Sequence, residues 1–392
     1  MSLKTKASEQ ATIASCCACV GMGASLGFIP GFLATVLSED LDVSRGKIGL
    51  IVGIYFGATG IGSIPAGGFT DKFGARNVAT INMLLVAGSS LLIAIFDTYA
   101  IWIAGSVIGG MGYALGNTST NVAIGHTVPL ERRTLAMSVK TSGVPLMATI
   151  AAATAPWAAN VWSWQRVLVF NAVVAAITGL FTYVVLDDDR SESTRRAAPT
   201  PLPKDFYWFG IAAFLLIGGS QPLYSWTVSY LEESLNAPAS LSGGIMAIAS
   251  FTGVIVMICN GVWADRLGAL KRIPLVMLLL SVSALSVCLV ILGTVIGTFI
   301  VVIGLTLGVS TQLAAIGTMH AAVIDKAPKS VGRATGITMT GYYLGALVTP
   351  AGFGLLVDIS DTYIYSWLAT LAILITAVGA WYRAGKIQAQ RD

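Results

Sequence analysis

Twelve predominantly apolar runs, each about as long as a membrane is thick, constrain this chain more than any other feature. They cover roughly residues 11–36, 48–70, 78–96, 99–124, 134–157, 166–186, 206–230, 241–263, 274–294, 297–323, 334–357 and 363–383. A helix needs about 20 such residues to cross a ~30 Å hydrocarbon core. A soluble core has no use for twelve of them, and a composition of 55% hydrophobic and only 11% charged residues leaves too little polar surface to cover one. The one long polar stretch, 187–205, combines charge, hydroxyls and three prolines. It reads as a linker between residues 1–186 and 206–392, each with six runs.

Charge sets the orientation. With the N-terminus inside, the basic residues gather in the inner segments, and only Arg45, Lys47 and Arg166 fall outside. Both termini are therefore expected in the cytoplasm of a multi-pass protein of the plasma (inner) membrane. The net charge of +4 is that bias rather than a nucleic-acid footprint. Every Asp and Glu falls in a loop or at a helix end. Cys16 and Cys19 match C-x-x-C, but inside an apolar helix they read as small packing residues. The first run is too long for a cleavable signal and lacks a small-residue cleavage pattern.

The two halves repeat. A shift of 194 residues lays "GGFTDKFGAR" (67–76) over "GVWADRLGAL" (261–270), matching Gly67, Asp71 and Gly74 to Gly261, Asp265 and Gly268. The same shift matches His126 to His320, the only histidines, and a six-residue adjustment brings Arg133 onto Arg333. Tandem six-helix repeats imply a pseudo-two-fold axis along the membrane normal and a cavity between the halves.

The G-x-x-x-D-[RK]-x-G-x-[RK] pattern after the second run, with its weaker copy after the eighth, resembles the cytoplasmic signature of the major facilitator superfamily. The resemblance spans essentially the whole chain and implies an all-α membrane protein, twelve transmembrane helices in two pseudo-symmetric six-helix bundles. It also implies that Asp71 latches the halves in the outward-facing state, with Arg76 and Arg133 as electrostatic partners. Gly67, Gly74, Asp265 and Arg266 join the gating set by their place in the two copies. Ala75 stands where a basic residue is common in the family. Ser106 replaces the arginine that many proton-coupled members carry, and "SGVPL" lacks the glycine pattern of drug/proton antiporters. The stretch "VKTSGVPL" is similar to the cyanate/nitroimidazole permease-like branch.

Lys140 is the one basic residue that topology leaves unassigned. It sits about seven residues into the fifth run, roughly 10 Å from the inner end at ~1.5 Å per residue. Its ammonium either snorkels to the interface or faces the cavity and supplies the charge for an anionic substrate. The second reading is favoured because no carboxylate is left in mid-membrane to serve as counter-ion. Tyr55, Asn117, Asn121, Gln221, Gln312, Tyr342 and Tyr343 lie at comparable depth, on runs that the resemblance places at or beside the cavity. Each also reads as an interhelical hydrogen bond worth about 0.6 kcal/mol.

The expected function is secondary transport of a small anionic organic solute by alternating access. A proton-coupled exporter of neutral or cationic drugs is the alternative. No nucleophile–base pair or metal cluster lies at membrane depth, so neither enzyme nor cofactor chemistry is expected. The expected partners are the solute, the bilayer and a coupling proton, for which His126 and His320 are the candidates. The chain is expected to act as a monomer.

Overall fold

The computed structural model describes residues 3–187, 201–327 and 330–387, with the side chains of 3–8, 130–135 and 331–332 outside the description. All regular elements among these residues are helices. They are α1 (Leu3–Phe32), α2 (Ala34–Asp40), α3 (Arg45–Phe73), α4 (Ala75–Phe96), α5 (Tyr99–Thr127), α6 (Leu130–Val161) and α7 (Trp164–Val185). From residue 207 onward come α8 (Tyr207–Ser225), α9 (Thr227–Leu235), α10 (Ala239–Leu267), α11 (Ala269–Ile296), α12 (Thr298–Lys326), α13 (Val331–Ser360) and α14 (Ile364–Gly385). Eleven of them, all but α2, α8 and α9, are long and apolar enough to cross a membrane.

The seventh apolar run is divided between α8 and α9. Pro222 cannot donate to the carbonyl four residues before it, which weakens the last turn of α8. Trp226 then breaks the helix and turns inward, its Nε1 donating to the Pro350 carbonyl at 3.1 Å and its ring stacking on Phe353 at 5.6 Å. The first run ends in the same way: Pro30 lies near the end of α1, Leu33 interrupts the helix, and α2 follows. Continuous hydropathy conceals both breaks.

The chain forms two compact units, Met1–Val43 with Ile54–Arg195, and Ser44–Gly53 with Arg196–Asp392. The start of α3 thus belongs with the second unit. In the first unit α1 packs on α5, α6 and α7, and α4 on α5 and α7. The second unit repeats the scheme: α8 packs on α12, α13 and α14, and α11 on α12 and α14.

Backbone conformation carries the same repeat. Asp42 and Asn236, 194 residues apart, both have positive φ (48° and 52°). So do Gly74 and Gly268, also 194 apart, at φ 81°, ψ 150° and φ 75°, ψ 172°. That last region is essentially closed to residues with a Cβ, so these motif glycines are demanded by the sharp helix-to-helix turn. A Cβ on Gly268 would meet nothing within 4 Å. Gly268→Ala should therefore show backbone strain alone, a loss of about 1–3 kcal/mol, measured as a lower melting temperature in detergent.

Candidate functional site

Lys140 lies on α6, which begins at Leu130 rather than near 134. The lysine is therefore about ten residues from the start of its helix, roughly 15 Å at ~1.5 Å per residue, and lies near the start of Ala136–Val161, the part of α6 long and apolar enough to cross a membrane. Its neighbourhood is set by a close crossing of α1 and α6. A Cβ on Gly143 would strike the backbone carbonyl of Cys17, and one on Gly21 would lie 2.5 Å from the carbonyl oxygen of Gly143. Small residues at such crossings let backbones touch, and one helical turn before this one α6 carries Lys140.

The ammonium does not run back along its own helix. It donates to Asn117 Oδ1 at 2.7 Å and Asn121 Oδ1 at 2.6 Å, with a longer contact to the Asn117 main-chain carbonyl at 3.4 Å. Asn117 and Asn121 are one turn apart on α5 and so present both side chains on one face. Lys140 is 3% exposed, Asn117 is half-buried and Asn121 is exposed. The result is a cation bridging α5 and α6, ringed by oxygen dipoles and without a carboxylate among its described partners. The three side chains nominated from sequence on this face are thus brought together.

Tyr55 is placed differently. It is fully buried, its hydroxyl donates to the Gly23 carbonyl of α1, and its ring stacks with Tyr113 at 6.2 Å. In the second unit Gln312 is 3% exposed, and its Oε1 has no hydrogen-bond partner among the described residues. Gln221 is buried, with Nε2 3.5 Å from Ser225 Oγ. The rings of Tyr342 and Tyr343 meet edge-on, 5.4 Å between centroids.

The residues nominated from the motif divide in a way the repeat does not foretell. Asp71 is exposed and has no ion-pair partner among the described residues. Arg76 lies over the ring of Tyr183 at 4.8 Å, and the side chain of Arg133 is outside the described residues. Gly67 is half-buried in the last turns of α3. Asp265, the repeat mate of Asp71, pairs with Arg272 at 3.1 Å, and Arg272 reaches both Asp325 oxygens at 2.8 and 3.0 Å. Arg266, nominated from the motif, is exposed, and the residue that pairs is Arg272. The histidines also differ. His126 is exposed, whereas His320 is half-buried with Nδ1 2.8 Å from the Ile316 carbonyl oxygen.

A further cluster has Arg45, one of the three outer basic residues, at its centre. The Asp358 carboxylate accepts from the backbone N–H groups of Arg45 and Gly46 at 2.9 and 2.8 Å, capping the start of α3. Arg45 Nε donates to Glu233 at 2.7 Å, and Tyr363 donates to the same carboxylate oxygen at 3.0 Å. These partners lie 313 and 188 residues from Arg45 in the chain, and no local pattern signals them.

Comparison with known proteins agrees with this architecture. A family model described as Major Facilitator Superfamily matches residues 12–350. The chain is 23% identical to a nitrite extrusion protein of Bacillus subtilis (strain 168) over 377 residues, covering 90% of this chain and 91% of that one. It is 26% identical to a gentisate transporter of Corynebacterium glutamicum over 361 residues, covering 83% and 76%. A solved structure of a bacterial homologue of the human lysosomal transporter Spinster, inward-facing and unoccupied, superposes with a TM-score of 0.78 at 12% identity, covering 97% of each chain.

Proposed function

The chain belongs to the major facilitator superfamily, and on that premise we propose that it is a secondary transporter of a small organic anion, working by alternating access. The observation that carries the proposal is the buried Lys140 ammonium, held by two neutral carboxamides and with no carboxylate among its described partners. An ionisable group inside a membrane helix is costly and is retained for function. A cation without a carboxylate among its described partners favours an anionic ligand, and it opposes the lipophilic cations of a multidrug exporter. The names of the two relatives, for nitrite and gentisate, are consistent with an anion.

Lys140, Asn117 and Asn121 are proposed as substrate residues of the first unit, with Tyr55 shaping their surroundings. Gln221, Gln312, Tyr342 and Tyr343 are proposed as further solute contacts from the second. Gating is assigned to Gly67, Asp71, Gly74 and Arg76 in one copy of the motif with Arg133 of α6, and to Asp265 and Arg266 in the other with Arg272 of α11. For a coupling proton the chain offers His126 and His320, the latter with an Nε2 that bonds no described residue. Both termini are proposed to lie in the cytoplasm, and the working unit to be a monomer.

Ligand-dependent melting of the purified protein tests the substrate class. Nitrite, gentisate, benzoate and sulfoacetate are compared with neutral and cationic analogues of similar size. Stabilisation by anions alone is the expected result, and stabilisation by lipophilic cations alone overturns the proposal.

A further inference from the structure

We infer that the amide N–H groups of Asn117 and Asn121, not the ammonium of Lys140, are the direct hydrogen-bond donors to a substrate carboxylate, and that Lys140 is the positioning residue that aims them. The inference rests on the anion reading above and names the atoms and the ligand class that serve it.

A lysine ammonium has three donors. Here two are engaged by Asn117 Oδ1 and Asn121 Oδ1, and the third is directed at the Asn117 main-chain carbonyl. Because an ammonium can only donate, both carboxamides must turn their oxygen toward it, which removes the usual ambiguity in amide orientation. Each amide then presents its NH2 group away from the lysine. Among the described residues no group accepts a hydrogen bond from either Nδ2. Exposure follows the same order. Lys140 is 3% exposed while Asn121 is open and Asn117 half-open, so an entering ligand meets the amides before the ammonium.

The cation strengthens what it positions. Withdrawing electron density through Oδ1 makes each N–H a better donor, as in other chains of polarised hydrogen bonds, and the positive charge lies one amide behind the ligand. Two NH2 groups one helical turn apart, with Cβ atoms about 5–6 Å from each other, can each meet one oxygen of a planar carboxylate. A neutral carboxamide ligand has a single acceptor oxygen and would set its own N–H groups against one of them. The arrangement therefore selects a carboxylate over the corresponding amide.

The test measures the affinity of full-length protein in detergent for benzoate, with benzamide as its uncharged match. Wild type is expected to bind benzoate and not benzamide. Asn121→Ala frees one ammonium donor while removing an amide donor. The inference expects benzoate to bind about tenfold weaker or worse, whereas direct donation by the lysine requires equal or tighter binding, which would overturn it. Asn121→Asp guards against misfolding, since it keeps an acceptor for Lys140 but replaces the NH2 with an oxygen. It is expected to lose benzoate binding at an unchanged melting temperature, and retained binding overturns the inference. Lys140→Arg keeps a cation with donors for both Oδ1 atoms and is expected to preserve binding within severalfold, an outcome that a purely structural bridge between α5 and α6 would not link to affinity. A wild type bound by nitrite but by none of benzoate, gentisate and sulfoacetate overturns the carboxylate assignment alone. One bound by no anion overturns the anion reading together with it.

Discussion

Lys140→Gln is expected to fold with an unchanged or higher melting temperature and to lose at least about two decades of anion affinity. The two effects have different origins. Buried at 3% exposure, the ammonium has given up its hydration for two amide oxygens and a long carbonyl contact. Replacing a desolvated charge by a neutral side chain of similar length is often neutral or stabilising, and glutamine can still donate to one Oδ1. Affinity depends on the charge itself. At an effective dielectric of about 20, a unit charge ~5 Å from an anion contributes roughly 3 kcal/mol, which at about 1.4 kcal/mol per tenfold is two decades. The measurement is anion affinity alongside melting temperature. A lysine that only bridges two helices would give the opposite pattern, lower stability with affinity within about threefold of wild type, and that result would remove Lys140 from the substrate site.

Gly143→Val should cause the largest loss of stability among single substitutions in the first unit. The side chain would be driven into the Cys17 carbonyl, and that atom is backbone, which no rotamer change can move aside. Separating α1 from α6 at their crossing also displaces the turn that carries Lys140. Overpacking of a tight core costs typically about 1–3 kcal/mol, and more when backbone must shift, so about 3 kcal/mol or more is expected here. The corresponding crossing in the second unit is Gly341 of α13 against the Gly210 carbonyl of α8, and Gly341→Val should behave alike. Gly88→Ala is the control, since a Cβ there meets nothing within 4 Å. Thermal unfolding of the three variants in one detergent separates them. Melting of Gly143→Val within a degree or two of the control would contradict the crossing geometry.

The two crossings also align the halves more closely than sequence does. Lys140 precedes Gly143 by three residues, and three before Gly341 stands Thr338, buried and bonded to the Ala334 carbonyl. The six-residue adjustment that lays Arg133 over Arg333 puts Lys140 on Thr340 instead, because few identities mark the fifth and eleventh runs. The register of packed backbones is a finer ruler than scattered identities. The charge consequently has no counterpart in the second unit, which has a buried hydroxyl at that position.

Hydropathy alone determined that this chain builds membrane-spanning helices, because a run of twenty apolar residues has few other stable solutions. The glycines and aspartates recurring at 194 residues determined that it builds them twice. A turn such as that at Gly74 and Gly268 is a local backbone demand, and local demands are written in local residue types. The pairing of charges was not legible. Asp71 and Asp265 occupy equivalent places in the motif, yet only Asp265 has a partner among the described residues, supplied by Arg272 from the next helix. Asp358 and Glu233 meet the start of α3 across hundreds of residues of chain. The direction of the Lys140 side chain was likewise undecided, since snorkelling and cavity-facing rotamers share one sequence. Only the packing of α5 against α6 chose its partners, by setting two amide oxygens within 2.7 Å of the ammonium, where hydrogen bonds to a charge are stronger than those between neutral groups.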